Sequence, residues 1–326
     1  MIADSLKGNP AHVLADESIG PMPLWVRLAA CVIQCQSRGR YRSANWLASH
    51  KAAAPFWGRL SPRLGGVLFR CDLRDHIMRE ACLTGCYEPQ ETALLAQMLR
   101  PGMTFVDVGA NWGYFSLVAS PLVGPTGRVV SVEADPRACQ ALRANIARNG
   151  FDFATVLELA ASDRPGTLRL QEYAEGSNDS GNYGLTSTTT TQPDGRRFDV
   201  PARPLDDALE DAGIDRIDVL KMDIEGAEAP ALRGLDRRLR TGRIRQILLE
   251  VHPHHLRDQG SSVEEVVGSL RRHGYALWAI DHSPATSRRV AAGRLDPRSA
   301  LTPLTDSTDL GSWPHLLCSL TPSSPE

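Results

Sequence analysis

From residue 104 onward, short apolar runs alternate with stretches of helical spacing. Residues 104–108, 128–133, 155–161, 217–222, 246–251 and 275–280 read as buried strands, and 316–320 is one more apolar run. Between them, 114–120, 136–149, a stretch from about Ala227, and 263–273 carry helical spacing. Pro136 suits a first helical turn and Asn149-Gly150 a helix end. Strands alternating with helices predict an α/β fold, a parallel sheet wrapped by helices on both faces.

Upstream the rhythm differs. Residues 24–50 show helical apolar spacing (Leu24, Leu28, Val32) and read as one or two helices. Residues 65–73 read as a strand or hairpin, and 75–83 and 89–99 as two helices. The chain thus divides into an accessory region, 1–65, with a partly disordered start, and an α/β domain, 66–326. Residues 175–195 interrupt that domain with a polar run of Ser, Asn, Gly and Thr. A loop of that length is either a mobile lid or a surface excursion.

Composition narrows the function. A net charge of −2 over 326 residues gives no electrostatic footprint for nucleic acid or anionic lipid. No apolar run approaches the roughly 20 residues that span a bilayer, and no secretory signal is visible. The 7 cysteines are scattered, without a C-x-x-C pair. Together these features predict a cytoplasmic protein with reduced thiols. A homodimer is one compatible state.

The most informative segment is Val106-Asp107-Val108-Gly109-Ala110-Asn111-Trp112-Gly113-Tyr114. A strand ends at an acid, turns through small residues and enters a helix. In open α/β sheets, ligands bind beyond the carboxyl ends of the strands. The second strand ends at Glu133-Ala134-Asp135-Pro136, which places an acid to accept both ribose hydroxyls. The unit therefore predicts an adenosine-containing cofactor. The loop is D-x-G-x-x-x-G and lacks the glycine that admits a pyrophosphate. Asp107 would repel a diphosphate and attract an ammonium. Both features favour S-adenosylmethionine over NAD.

At these residues the chain resembles the FkbM family of class I methyltransferases. The resemblance runs over about residues 71–280. It includes Gly85-Cys86-Tyr87-Glu88-Pro89, the two acid-bearing strand ends, the 159–166 turn, and Leu220-Lys221-Met222-Asp223-Ile224-Glu225-Gly226-Ala227-Glu228. It implies a doubly wound, mostly parallel, seven-stranded Rossmann-like sheet. It implies S-adenosylmethionine as donor, and often a hydroxyl acceptor on a sugar or secondary metabolite. On that basis Asp107, Gly109, Ala110, Asn111, Gly113 and Tyr114 should surround the methionine part, and Glu133 and Ala134 the ribose. Ala161, Ser162 and Asp163 should lie beside the adenine, with Glu88 closing the site and Asp223 facing the transferred methyl.

A hydroxyl acceptor must lose a proton, which calls for a base within hydrogen-bond reach. The fourth strand delivers Lys221 and Asp223, and the next ends near His252, a proton acceptor suited to neutral pH. These three are the expected catalytic groups. Asp223, Glu225 and His252 are also residue types that suit a divalent ion, but convergence is not readable from sequence, and a metal-free site is expected. His254 and His255 read as solvated loop residues. Trp112, Tyr114, Tyr183 and Trp313 could line an acceptor pocket, although core packing is the commoner role of such rings. An N- or carboxyl-methyltransferase, or a binding protein without turnover, are the competing readings. The Asn/Asp-Pro-Pro-Phe/Tyr motif of amino-group methyltransferases is absent.

Overall fold

The β-branched and apolar runs assemble into one eight-stranded sheet. Its strands are β1 (Thr104–Val108), β2 (Arg128–Glu133), β3 (Ala154–Glu158), β4 (Ile217–Met222), β5 (Ile244–Glu250), β6 (Tyr275–Ile280), β7 (Leu301–Pro303) and β8 (His315–Leu320). The computed structural model describes residues 19–36, 39–51, 53–172, 183–185, 197–305, 308 and 313–320. The spatial order is β7-β6-β8-β5-β4-β1-β2-β3. β5, β4, β1, β2 and β3 run parallel. β8 inserts antiparallel between β5 and β6. Seven strands were expected, and the eighth is the three-residue edge strand β7.

Strand alternation sends two apolar sets to opposite faces. Val106, Val108, Leu220, Met222, Ile247 and Leu249 belong to one buried cluster. Phe105, Val129, Val219 and Leu248 belong to the other. Helices cover both faces, as continuous apolar strands require.

Where the pattern was read as one strand over 155–161, the chain changes sheets. β3 stops at Glu158, and Ala160–Ser162 pairs instead with Arg197–Pro204 in a separate four-stranded sheet. Leu159 marks the switch, its N–H donating to the Glu133 carbonyl at 2.9 Å. The polar run 175–195 lies outside the described residues apart from the strand Tyr183–Leu185, so the lid expectation falls there, as does the Tyr183 side chain. The first 18 residues also lie outside them.

The helices expected over 24–50 are Leu24–Cys35 and Arg40–His50. A strand that the pattern did not show, Phe56–Arg59, pairs antiparallel with Leu68–Cys71. The division expected at residue 65 therefore falls inside a hairpin connection. Val26, Ile33 and Ala44 pack in the same cluster as Leu83, Leu94 and Phe105. Among the described residues, no helix is long and apolar enough to cross a membrane.

Candidate functional site

The strand order reverses between β1 and β4, the place where open α/β sheets open a crevice. A cavity of about 310 Å³ lies there. Its size is at the lower end of small-molecule sites.

One end is built by the loops after β1 and β2. Gly109 has φ +82°, and a Cβ there would sit 1.8 Å from the Asp223 carbonyl oxygen. Only glycine lets the two strand ends approach so closely. Asn111 holds φ 50°. Its N–H donates to Glu133 Oε2 at 2.7 Å, while Ala134 and Asp135 N–H donate to Oε1 at 2.8 Å. Glu133 thus clamps both loops together. Burial pushes its carboxyl up to about 7, against those three N–H donors. Gly113 precedes the helix Tyr114–Val123, and no side chain caps it. Its first N–H groups are the kind a carboxylate takes. Val132, Ala134, Leu159, Ala161 and Leu170 form an apolar wall beyond Glu133.

Of the expected contacts, Gly109, Ala110, Asn111, Tyr114, Glu133, Ala134, Ala161 and Asp223 line the cavity. Gly113 packs against Leu142. Three acids do not line it. Asp107 is buried behind the loop, where it accepts from Ser116 Oγ at 2.7 Å. Asp163, expected beside an adenine, instead pairs with Arg233 at 3.1 Å, and Ser162 is buried in the second sheet. Glu88 faces a small separate space with Glu91, Lys221, Glu250 and His315, and burial holds its carboxyl well above the usual range.

The other end is acidic. Lys221 is buried, 3.3 Å from Asp223 Oδ2, with Nζ 4.4 Å over the Phe115 ring. Burial opposes its charge, but Asp223 and the other acids around it keep the ammonium protonated. Asp223 is pushed up to about 6 by burial and the nearby Glu250. His252 sits at the centre, its side chain 2% exposed, and its Nδ1 lies 2.7 Å from Glu228 Oε1. Its Nε2 faces Glu225 Oε2 at 3.4 Å, Glu250 Oε1 at 3.5 Å and Asp223 Oδ1 at 3.7 Å. Burial disfavours its charge, yet the Glu228 hydrogen bond and the surrounding carboxylates lift the imidazole to about 11. The surrounding carboxylates therefore favour the protonated ring, which counts against the neutral histidine base expected here.

Trp112, Tyr114 and Trp313, expected as candidate pocket aromatics, line the cavity, and two features were not expected, the place of His255 and a buried ion cluster. His255 is not a solvated loop residue: it lies 3.2 Å from Glu225 and stacks on His252. Trp313 sets its ring edge-on to His252 at 5.2 Å. A buried ion cluster continues behind the site. His315 Nε2 lies 3.6 Å from Glu250 and its Nδ1 3.0 Å from Glu91, which also meets His282 at 2.6 Å.

Residues 107–277 match the sequence profile of the methyltransferase FkbM domain. The chain is 33% identical over 204 residues to the 31-O-demethyl-FK506 methyltransferase FkbM of Streptomyces tacrolimicus, covering 56% of this chain and 75% of that one. It is 30% identical over 152 residues to the 2-O-methyltransferase NoeI of Sinorhizobium fredii, covering 43% of this chain and 60% of that one. Among solved structures it is similar to a methyltransferase FkbM from Methylobacillus flagellatus KT. The TM-score there is 0.41 at 17% identity, covering 85% of this chain and 57% of that one.

Proposed function

The chain belongs to the FkbM methyltransferase family, and on that premise we propose that it moves a methyl group from S-adenosylmethionine to a hydroxyl of a small acceptor, a sugar or secondary metabolite. The observation that carries this reading is one cavity with two unlike ends, a Glu133-clamped cradle with an apolar wall, and an acidic end at Asp223.

The cradle fits the donor. Glu133 Oε2, which accepts only the Asn111 N–H, keeps a lone pair for a ribose hydroxyl. The uncapped start of the helix Tyr114–Val123 suits a carboxylate. The adenine contact comes from the apolar wall at Leu159, Ala161 and Leu170 rather than from Asp163. When bound, S-adenosylmethionine supplies an activated methyl: a lone pair of the acceptor oxygen forms the new C–O bond, the C–S bond breaks, and its electron pair stays on sulfur.

The chain's own residues place the acceptor and take its proton. Asp223 faces the cavity, and its carboxyl, lifted to about 6, is ionised at neutral pH and basic enough to accept a hydroxyl hydrogen. Lys221 holds Asp223 in place, and His252 holds the carboxylates together. Both named relatives above methylate oxygen by name.

Isothermal titration with S-adenosylmethionine, with NAD as control, tests the reading. Micromolar binding of the first and none of the second is expected. Binding of NAD alone overturns it.

A further inference from the structure

Two adjacent strand ends bring Asp223, Glu225 and His252 together, each offering one ligand atom within 4.8 Å of the others. The imidazole is fixed from behind. Its Nδ1 is bonded to Glu228, whose side chain is 0% exposed and also accepts from the Gly226 N–H at 3.1 Å. A carboxylate behind an imidazole is the arrangement that orients metal-binding histidines.

From His252 Nε2 the cluster is spaced as ion pairs rather than closed hydrogen bonds. The 3.4 Å and 3.7 Å gaps from His252 Nε2 to Glu225 and Asp223 exceed good hydrogen-bond lengths. Ligands held by bonds of roughly 2.0–2.3 Å, about 90–120° apart, are separated by roughly 3–4 Å. The Glu91, His282 and His315 cluster behaves otherwise, for its imidazoles contact Glu91 at 2.6 and 3.0 Å, closed as hydrogen bonds. The front cluster also lines the cavity, so positions remain open to solvent or substrate oxygens, whereas the rear one does not.

We propose that Asp223, Glu225 and His252 bind a divalent cation of the manganese or magnesium class, the cation displacing the proton on His252 Nε2 to solvent, in place of the metal-free site expected from sequence. Two carboxylates and one imidazole suit such an ion better than a thiolate-seeking one. Asp223 Oδ2 stays with Lys221 while Oδ1 faces the cation. The ion sits where it would hold an acceptor oxygen beside Asp223 and ease loss of its proton. That role rests on the methyl-transfer reading; the site itself rests on the geometry.

The test is Mn²⁺ titration of the chelator-stripped full chain without donor or acceptor, following free Mn²⁺ by electron paramagnetic resonance. One bound equivalent is expected. Glu225→Gln and His252→Gln should each weaken it at least tenfold, and Glu228→Gln by about 10–100-fold through loss of ring orientation. Retained S-adenosylmethionine affinity in each variant certifies the fold. Wild-type protein that binds S-adenosylmethionine but takes up no Mn²⁺ at millimolar concentration overturns the site, and so does Mn²⁺ binding unchanged in the variants. Mn²⁺ binding sensitive to the variants in a chain that ignores S-adenosylmethionine keeps the site and removes the donor reading instead.

Discussion

Glu133 has two duties at once, and its substitutions should separate them. Its carboxylate already accepts three backbone N–H groups from two loops. Glu133→Ala removes the ribose acceptor and leaves those donors unmatched, so donor affinity should fall by about 1–3 kcal/mol. Titration calorimetry checks this, and unchanged affinity would remove the ribose assignment. Lys221→Met acts differently. It leaves the Asp223 carboxylate without its buried cation, raising the proton affinity of Asp223. Turnover should fall at neutral pH and recover partly at higher pH, with donor binding little changed; a flat pH profile would exclude a role through Asp223. Gly109→Ala should abolish donor binding, because its Cβ would meet the Asp223 carbonyl at 1.8 Å.

At the residue scale, legibility followed sequence proximity. Gly109, Glu133 and Asp223 stand at strand ends within recognisable turns, and the structure places them around the cavity. Asp163 and Glu88 stand at equally suggestive turns, but tertiary partners claim them: Arg233 takes the first and burial away from the cavity the second. Glu228 read as a helix-start acid, since nothing local to it names His252, 24 residues on, as its partner.

At the scale of elements, strand register builds what sequence could not show. Glu250 and His315 are 65 positions apart and become neighbours because β8 runs antiparallel beside β5 with these two in register. The apolar run 316–320 was visible, but not its insertion between β5 and β6. That insertion brings His315 to Glu91 on the helix Pro89–Met98. Despite burial, His315 and His282 hold the Glu91 carboxyl well below its usual range. Burial opposes the charge of His315, but Glu91 and Glu250 lift it to about 10. Glu91→Gln removes the nearer of the two carboxylates that offset the buried His315 charge and should cost about 3–5 kcal/mol at pH 7. The pH sign follows from the raised value. Its stabilising contribution is complete below about pH 6.5 and lost as pH rises toward 10. The stability gap between wild type and Glu91→Gln should therefore narrow from pH 7 to pH 10 in denaturant titrations. A constant gap would mean that Glu91 stabilises by packing alone.

At the scale of the molecule, the question is whether the N-terminal helices form a separate unit. Their sequence reads as an accessory region, and the apolar spacing that marks the first helix, Leu24, Leu28 and Val32, remains exposed, as does Trp46. The opposite face carries the cohesion: Val26, Ala30 and Ile33 are buried, and the helix Leu24–Cys35 packs on His76–Thr84, which supplies His76, Ile77 and Met78 to the cavity wall. Ile33 and Val32 are adjacent but differ in environment, at 4% and 64% exposed. Ile33→Ala should destabilise by about 2–5 kcal/mol through the cavity it leaves, while Val32→Ala should stay within about 0.5 kcal/mol. If the accessory region and the α/β domain share one core, Ile33→Ala lowers the denaturation midpoint with the slope unchanged, in a single transition. A separate early transition, with the main one unmoved, would show that the helices fold on their own. Donor affinity should then be insensitive to the substitution, whereas a shared core makes it fall in step with the midpoint near the unfolding range.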